Sequence, residues 1–175
     1  MPNKEILIKL VLLGSPACGK TSLINRYVHH RFEEDYHTTL GVNIVVKEIT
    51  IEEDSNTLVK LIFWDIAGQE KYDLSRQMFF QGCVGGLFVY DITRPSTLHD
   101  IESKWLPDLK KYGNEKAPYL LIGNKNDLED IRAISNKDGQ EFSDKIKALE
   151  FMETSAKSGA NVEKAFKNLL LHIIS

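Results

Sequence analysis

The sequence predicts an α/β fold: three layers, built on a mainly parallel six-stranded sheet with one antiparallel edge strand and about five helices. Two observations carry that expectation. Short apolar runs alternate with segments of helical period, the pattern of a parallel sheet covered on both faces. Two adjacent β-rich segments interrupt the alternation and read as a hairpin, which supplies the antiparallel edge.

Taken in order, Ile6 to Leu13 is a continuous apolar run with one lysine, which fits a central strand buried on both faces. Gly14 to Thr21 is a glycine-bounded loop, and Ser22 to His30 reads as a helix. Val42 to Glu52 and Leu58 to Asp65 are the hairpin strands, with Asp54, Ser55 and Asn56 at the turn. Gly86 to Asp91 and Tyr119 to Asn124 are short apolar strands, each followed by turn residues and a helical pattern. In the last helix Val162, Ala165, Phe166, Leu169, Leu170 and Ile173 share one face. Ser135 with Asp138 three residues on, and Asn161 before Val162, have the placement of N-caps. No repeat, low-complexity stretch or Pro/Gly/Ser linker divides the chain, so residues 1–175 read as one domain.

Composition narrows the function classes. Apolar residues make 42% of the chain and charged ones 27%, as in soluble globular proteins. The net charge of −3 and the scattered lysines and arginines give no basic field for nucleic acid or an anionic membrane. Cys18 and Cys83 form no metal-ligand pattern, and the low count suits a reducing, cytoplasmic setting. The apolar N-terminal stretch is too short to span a bilayer and has no signal-peptide cleavage site.

Gly14-Ser15-Pro16-Ala17-Cys18-Gly19-Lys20-Thr21 is a full G-x-x-x-x-G-K-[ST] motif between a predicted strand and a predicted helix. Its glycines let the backbone close around a phosphate, and successive N–H groups with the helix dipole form an anion nest. Ser15, Pro16, Ala17, Cys18, Gly19, Lys20, Thr21 and Ser22 are therefore expected at a nucleotide's phosphates. Lys20 supplies a cation, and the Thr21 hydroxyl suits Mg²⁺, a hard, oxygen-seeking ion. This is the P-loop architecture. The motif does not choose the base.

Base choice lies downstream. Asn124-Lys125-Asn126-Asp127 sits at the end of a predicted strand, and Ser155-Ala156-Lys157 sits after another. The Asp127 carboxylate matches the N1–H and N2–H₂ donors of guanine, a pair that adenine lacks. The Ala156 N–H is suited to O6, and the Lys125 stem to a base face. Each string taken alone is also an ordinary turn composition. In Trp64-Asp65-Ile66-Ala67-Gly68-Gln69-Glu70, Asp65 ends a strand where it can hold the metal. Gly68 permits backbone approach to a γ-phosphate, and Gln69 can orient the attacking water.

With these motifs in this order over essentially the whole chain, the sequence resembles the Ras superfamily of small GTPases, and the Rab branch most of all. Trp64 to Glu70, Val89-Tyr90-Asp91-Ile92-Thr93 and Leu40-Gly41-Val42 are Rab-like; Ala17-Cys18-Gly19-Lys20-Thr21 instead resembles Rho. The interval from Asp127 to Ser155 is too short for the extra helix of Rho proteins. The resemblance implies further roles. Phe32 flanks guanine, Tyr36 closes over the phosphates, and Thr39 joins Mg²⁺ and senses the γ-phosphate. Lys20, Thr39 and Gln69 form the implied hydrolytic set, and Thr21, Thr39 and Asp65 the implied Mg²⁺ set. Residues 33–42 and 67–80 would be switch loops. Ile44, Trp64 and Phe79 correspond to the Rab effector triad, through which effectors, an exchange factor and an activating protein would bind.

Three departures stand out. Pro16 replaces a small residue and removes one N–H from the loop. Ile44 and Phe79 stand where Rab proteins usually carry phenylalanine and tyrosine, and simple packing would account for them equally. The last residues, His172 to Ser175, include no cysteine for prenylation, which leaves open both a longer lipidated chain at a membrane and one not anchored by lipid. The leading function is a GTP switch that hydrolyses GTP to GDP and phosphate, in membrane traffic or signalling. A silent nucleotide-binding module and a nucleotide or small-molecule kinase are the other classes. Gln69, Thr39 and Asp65 favour hydrolysis over the former, and the lack of an arginine-rich lid disfavours the latter.

Overall fold

A computed structural model describes residues 4–35, 37–51, 54–67 and 76–175. Its sheet has six strands in the order β2-β3-β1-β4-β5-β6. These are β1 (Lys4–Leu13), β2 (Val42–Ile51), β3 (Asp54–Ile66), β4 (Gly85–Asp91), β5 (Tyr119–Asn124) and β6 (Glu150–Thr154). β2 runs antiparallel to β3, and the other neighbours pair in parallel. The predicted topology and its antiparallel edge are both present.

Among the described residues the helices are α1 (Lys20–His29), α2 (Arg76–Phe80), α3 (Pro95–Asp100), α4 (Leu106–Tyr112), α5 (Asn136–Ile146) and α6 (Val162–Ile174). A π-turn, Ile101–Trp105, joins α3 to α4 as one helical body. It lies directly before Leu106-Pro107, where proline cannot donate and its ring crowds the carbonyl four residues back.

Strand period divides the core. In β1, Ile8, Leu10 and Leu12 face one side with Leu23, Ile24, Tyr27 and Phe166. Val11 and Leu13 face the other with Phe80, Ile101, Trp105 and Leu109. Burying both faces requires the apolar runs that the sequence shows in β1, β4 and β5. Tyr27 stacks on Phe166 at 4.3 Å between ring centroids, which locks α1 against α6. No helix of the described residues is long and apolar enough to cross a membrane.

Two local expectations need correction. β3 begins at Asp54, so Asp54, Ser55 and Asn56 belong to the strand, with a register shift at Thr50/Ile51. Asp54 pairs with Ile51 of β2 across that shift, and this antiparallel pairing overrides its turn preference. Asn161 occupies the N-cap position of α6 but does not cap it: it is left-handed (φ 58), and its Nδ2 donates to Glu153 O. Ser135 and Asp138 do form a reciprocal capping box at α5.

Candidate functional site

A cavity of about 440 Å³ opens at the carboxyl ends of the strands, where α/β sheets place ligands. The loop between β1 and α1 forms its floor. Gly14 packs so closely that an added Cβ would lie 2.2 Å from Val89 O, and at Gly19 (φ 91) one would lie 2.3 Å from Asn124 Nδ2. Those contacts explain the two glycines of the motif. Pro16, Ala17, Gly19, Lys20, Thr21 and Ser22 line the cavity; Ser15 and Cys18 do not. Cys18 is fully buried in the core, and burial pushes its thiol up, away from the reactive thiolate. A packing residue is what the structure shows there.

Lys20 Nζ donates to Gly14 O at 2.8 Å and Ser15 O at 3.0 Å. Burial holds this ammonium below its ordinary value. Across the cavity floor the Thr21 and Thr39 hydroxyls lie 3.0 Å apart, and Thr21 Oγ1 also donates to Asp65 Oδ2. Asp65 is fully buried, and its Oδ1 has no hydrogen-bond partner. An orphaned carboxylate oxygen beside two hydroxyls is a donor set suited to Mg²⁺.

The far wall comes from β5, β6 and the loops after them. Asn124 Nδ2 donates to Cys18 O at 2.9 Å, while its Oδ1 accepts from Thr154 Oγ1 at 3.0 Å and Ala156 N at 3.3 Å. The Ala156 amide, expected toward a base, is thus engaged by Asn124. Ser155 is fully buried and outside the lining; it donates to Asp127 Oδ1 at 2.6 Å and accepts from Ser158 N at 2.9 Å. Asp127 therefore presents a fixed carboxylate at the cavity wall. Lys125, left-handed at φ 71, sends Nζ to Ala17 O at 2.8 Å and to Asp91 Oδ2 at 2.9 Å, so its stem lies along the cavity. Phe32 lines the same space, and Lys157 Nζ pairs with Glu34 at 3.1 Å. Tyr36, Gly68 and Gln69 lie outside the described residues, as does most of the segment 67–80.

Sequence reasoning missed a layer beneath the loop. Asp91 is nearly buried and holds both Lys125 and Arg94. Arg94 reaches Pro16 O at 2.8 Å, and Ser15 Oγ donates to Asp100 Oδ2. Arg26 donates to Ala156 O at 2.8 Å and to Lys157 O. The one signal available was Asp91 at the end of an apolar strand, where a charge needs a partner.

On the outer face of the sheet, Ile44 pairs with Trp64 across β2 and β3 and is half exposed. The Trp64 and Phe79 rings are 6.3 Å apart. Phe79 is buried, so its packing role is real and only Ile44 and Trp64 reach the surface of that triad. Lys9 sits 3.7 Å from the Trp64 ring centroid and donates to Gln81 O at 2.7 Å, which ties β1 to the end of α2.

Comparison with known proteins decides what this cavity belongs to. The model of the Ras family matches residues 9–175. Ras-related protein RABA2a of Arabidopsis thaliana is 36% identical over 174 residues, covering 98% of this chain and 78% of that protein. Ras-related protein RABA4a of the same plant is 39% identical over 176 residues, covering 99% and 76%. Ras-related protein Rab11E of Lotus japonicus is 38% identical over 169 residues, covering 97% and 75%.

The chain belongs to the Ras family.

Within that family it is Rab-like, a guanine-nucleotide switch and a GTPase that hydrolyses GTP to GDP and phosphate. GTP and GDP are its bound nucleotides, and protein effectors and regulators act on such switches as a class.

Proposed function

We propose that residues 1–175 form one guanine-nucleotide domain in which the 440 Å³ cavity holds GTP with Mg²⁺. The observation that carries the base assignment is Asp127, whose carboxylate is held at the cavity wall by the Ser155 hydroxyl. A fixed acceptor pair there matches guanine's adjacent N–H donors and has nothing to bond on adenine. Phe32 and the Lys125 stem cover the base, while the amides of Ala17 to Thr21 and the Lys20 ammonium hold the phosphates. Thr21, Thr39 and Asp65 would hold Mg²⁺, which neutralises charge on the phosphate oxygens when bound.

Gln69 orients the attacking water, Thr39 reports the γ-phosphate to the 33–42 segment, and Lys20 stabilises charge at the transferred group. Loss of the γ-phosphate releases these loops, which changes the surface around Ile44, Trp64 and Phe79 and hence the choice of effector. We place this switch in the cytoplasm or at a membrane surface, acting in membrane traffic. Displacement of a fluorescent guanine nucleotide tests the reading: GTP and GDP should displace it at far lower concentration than ATP, and equal displacement would sink the assignment of Asp127.

A further inference from the structure

We propose that Arg94 is a positioning residue for the β-phosphate of the bound nucleotide, acting through the carbonyl of Pro16. Three successive carbonyls of the phosphate loop are each held by a different donor. Arg94 Nη2 donates to Pro16 O at 2.8 Å, Lys125 Nζ to Ala17 O at 2.8 Å, and Asn124 Nδ2 to Cys18 O at 2.9 Å. Among the described residues every peptide bond is trans, so within each plane the N–H points opposite the held oxygen. Holding these carbonyls aims the amides of Ala17, Cys18 and Gly19.

Asn124 and Lys125 belong to the Asn-Lys-x-Asp string, whereas Arg94 belongs to no motif read from the sequence. Its bond governs the first amide of the run. Pro16 has no N–H, so the donors begin at Ala17, and the Ala17 N–H shares a peptide plane with the oxygen that Arg94 holds. Ala17 is left-handed (φ 60), a conformation that a residue with a Cβ resists unless its surroundings impose it. Arg94 is itself anchored, with Nε 3.1 Å from Asp91 Oδ2 and the Asp91 side chain 2% exposed. The planar guanidinium fork spans both partners at once. Pro16 and Ala17 line the cavity and Arg94 does not, so the arginine braces the loop from behind.

This inference rests on reading the loop as a nucleoside-diphosphate cradle. The test compares GDP with GMP, which has no β-phosphate. Arg94→Ala should weaken GDP binding about tenfold, the scale of one charged hydrogen bond, and leave GMP binding as in the wild type. An unchanged GDP affinity overturns the proposal. So does an equal loss for GDP and GMP, which is what general loosening of the fold would produce. The phosphorus spectrum of bound GDP reads the same bond from the ligand: the β resonance should move in Arg94→Ala while the α resonance stays, and an unmoved β resonance is a negative result. A wild-type protein that binds no GDP would instead strike down the nucleotide reading itself.

Discussion

Asn124 joins Cys18 to Ala156: its Nδ2 donates to the Cys18 carbonyl at 2.9 Å, and its Oδ1 accepts from the Ala156 amide at 3.3 Å. One 1%-exposed side chain thus couples the loop after β1 to the loop after β6. Truncation to alanine leaves a buried carbonyl, a buried amide and the Thr154 hydroxyl short of partners. Each such group costs about 1–3 kcal/mol. Asn124→Ala should therefore lower the melting temperature of the GDP complex and speed GDP release. A variant that melts and releases GDP as the wild type does would show that the two loops are held independently.

Asp127 sets base choice. Asp127→Asn replaces an acceptor with a donor at one position, and guanine's donors then face an N–H. The loss of a charged hydrogen bond and the new mismatch should weaken GDP binding by about a hundredfold or more. Xanthine nucleotides, with an acceptor at the corresponding edge, should bind the variant better than guanine nucleotides do. Competition titrations with GDP and XDP measure both; an unchanged preference for GDP would move base recognition elsewhere.

Chelation probes the oxygen cluster of Thr21, Thr39 and Asp65. With Mg²⁺ removed, GDP should leave faster, because the orphaned Asp65 Oδ1 and the threonine hydroxyls no longer act on the phosphates through the ion. Thr21→Asn should lose GTP more than GDP. Stopped-flow release with and without a chelator decides it, and identical rates would mean that this cluster is purely structural.

The acid limb of stability should carry the imprint of Asp91. Burial alone would raise this acid, but hydrogen bonds from Lys125 and from the Thr93 hydroxyl and amide outweigh it and hold Asp91 below its ordinary 3.8. A carboxyl with a lowered folded-state pKa stabilises the protein fully above the unfolded value. That contribution fades as pH falls through the folded value. Asp91→Asn should thus be less stable than the wild type at neutral pH, with the gap closing below about pH 4. Denaturant unfolding at several pH values checks this, and a gap independent of pH would exclude ionised Asp91 as its source.

Turnover should be slow in the isolated protein, on the order of one event in minutes to hours, since a partner's arginine supplies a factor of about 10³–10⁵ in this class. Arg94, which reaches the phosphate loop at Pro16 O, is also held by Asp91. Gln69→Leu should slow hydrolysis further without weakening GTP binding. Pro16→Gly should change stimulated turnover more than basal turnover, because the Pro16 ring, which lines the cavity, would crowd an incoming arginine from a partner. Phosphate release under single-turnover conditions separates these; fast basal hydrolysis insensitive to Gln69 would demand another mechanism.

What the sequence determined by itself was the part of this protein written in local spacing. Gly14 to Thr21 between a strand and a helix, the apolar runs of β1, β4 and β5, and the Ser135–Asp138 capping box depend on near neighbours and on period. They were legible before any coordinates. Asn124, Asp127 and Ser155 carried a local signal because each stands at or just after the end of a strand, and the structure brings them together at one end of the sheet. Tertiary structure alone decided the rest, since those contacts join residues far apart in sequence that carry no local signal. Arg94 meets Pro16 across 78 positions and Ser15 meets Asp100 across 85. Asn161 gave up its cap for the carbonyl of Glu153, and Phe79 turned inward while Ile44 stayed exposed. Asp54, a turn-former by composition, became strand because Ile51 of β2 lay alongside to pair with it. In each case packing outweighs a local preference worth about 1 kcal/mol or less.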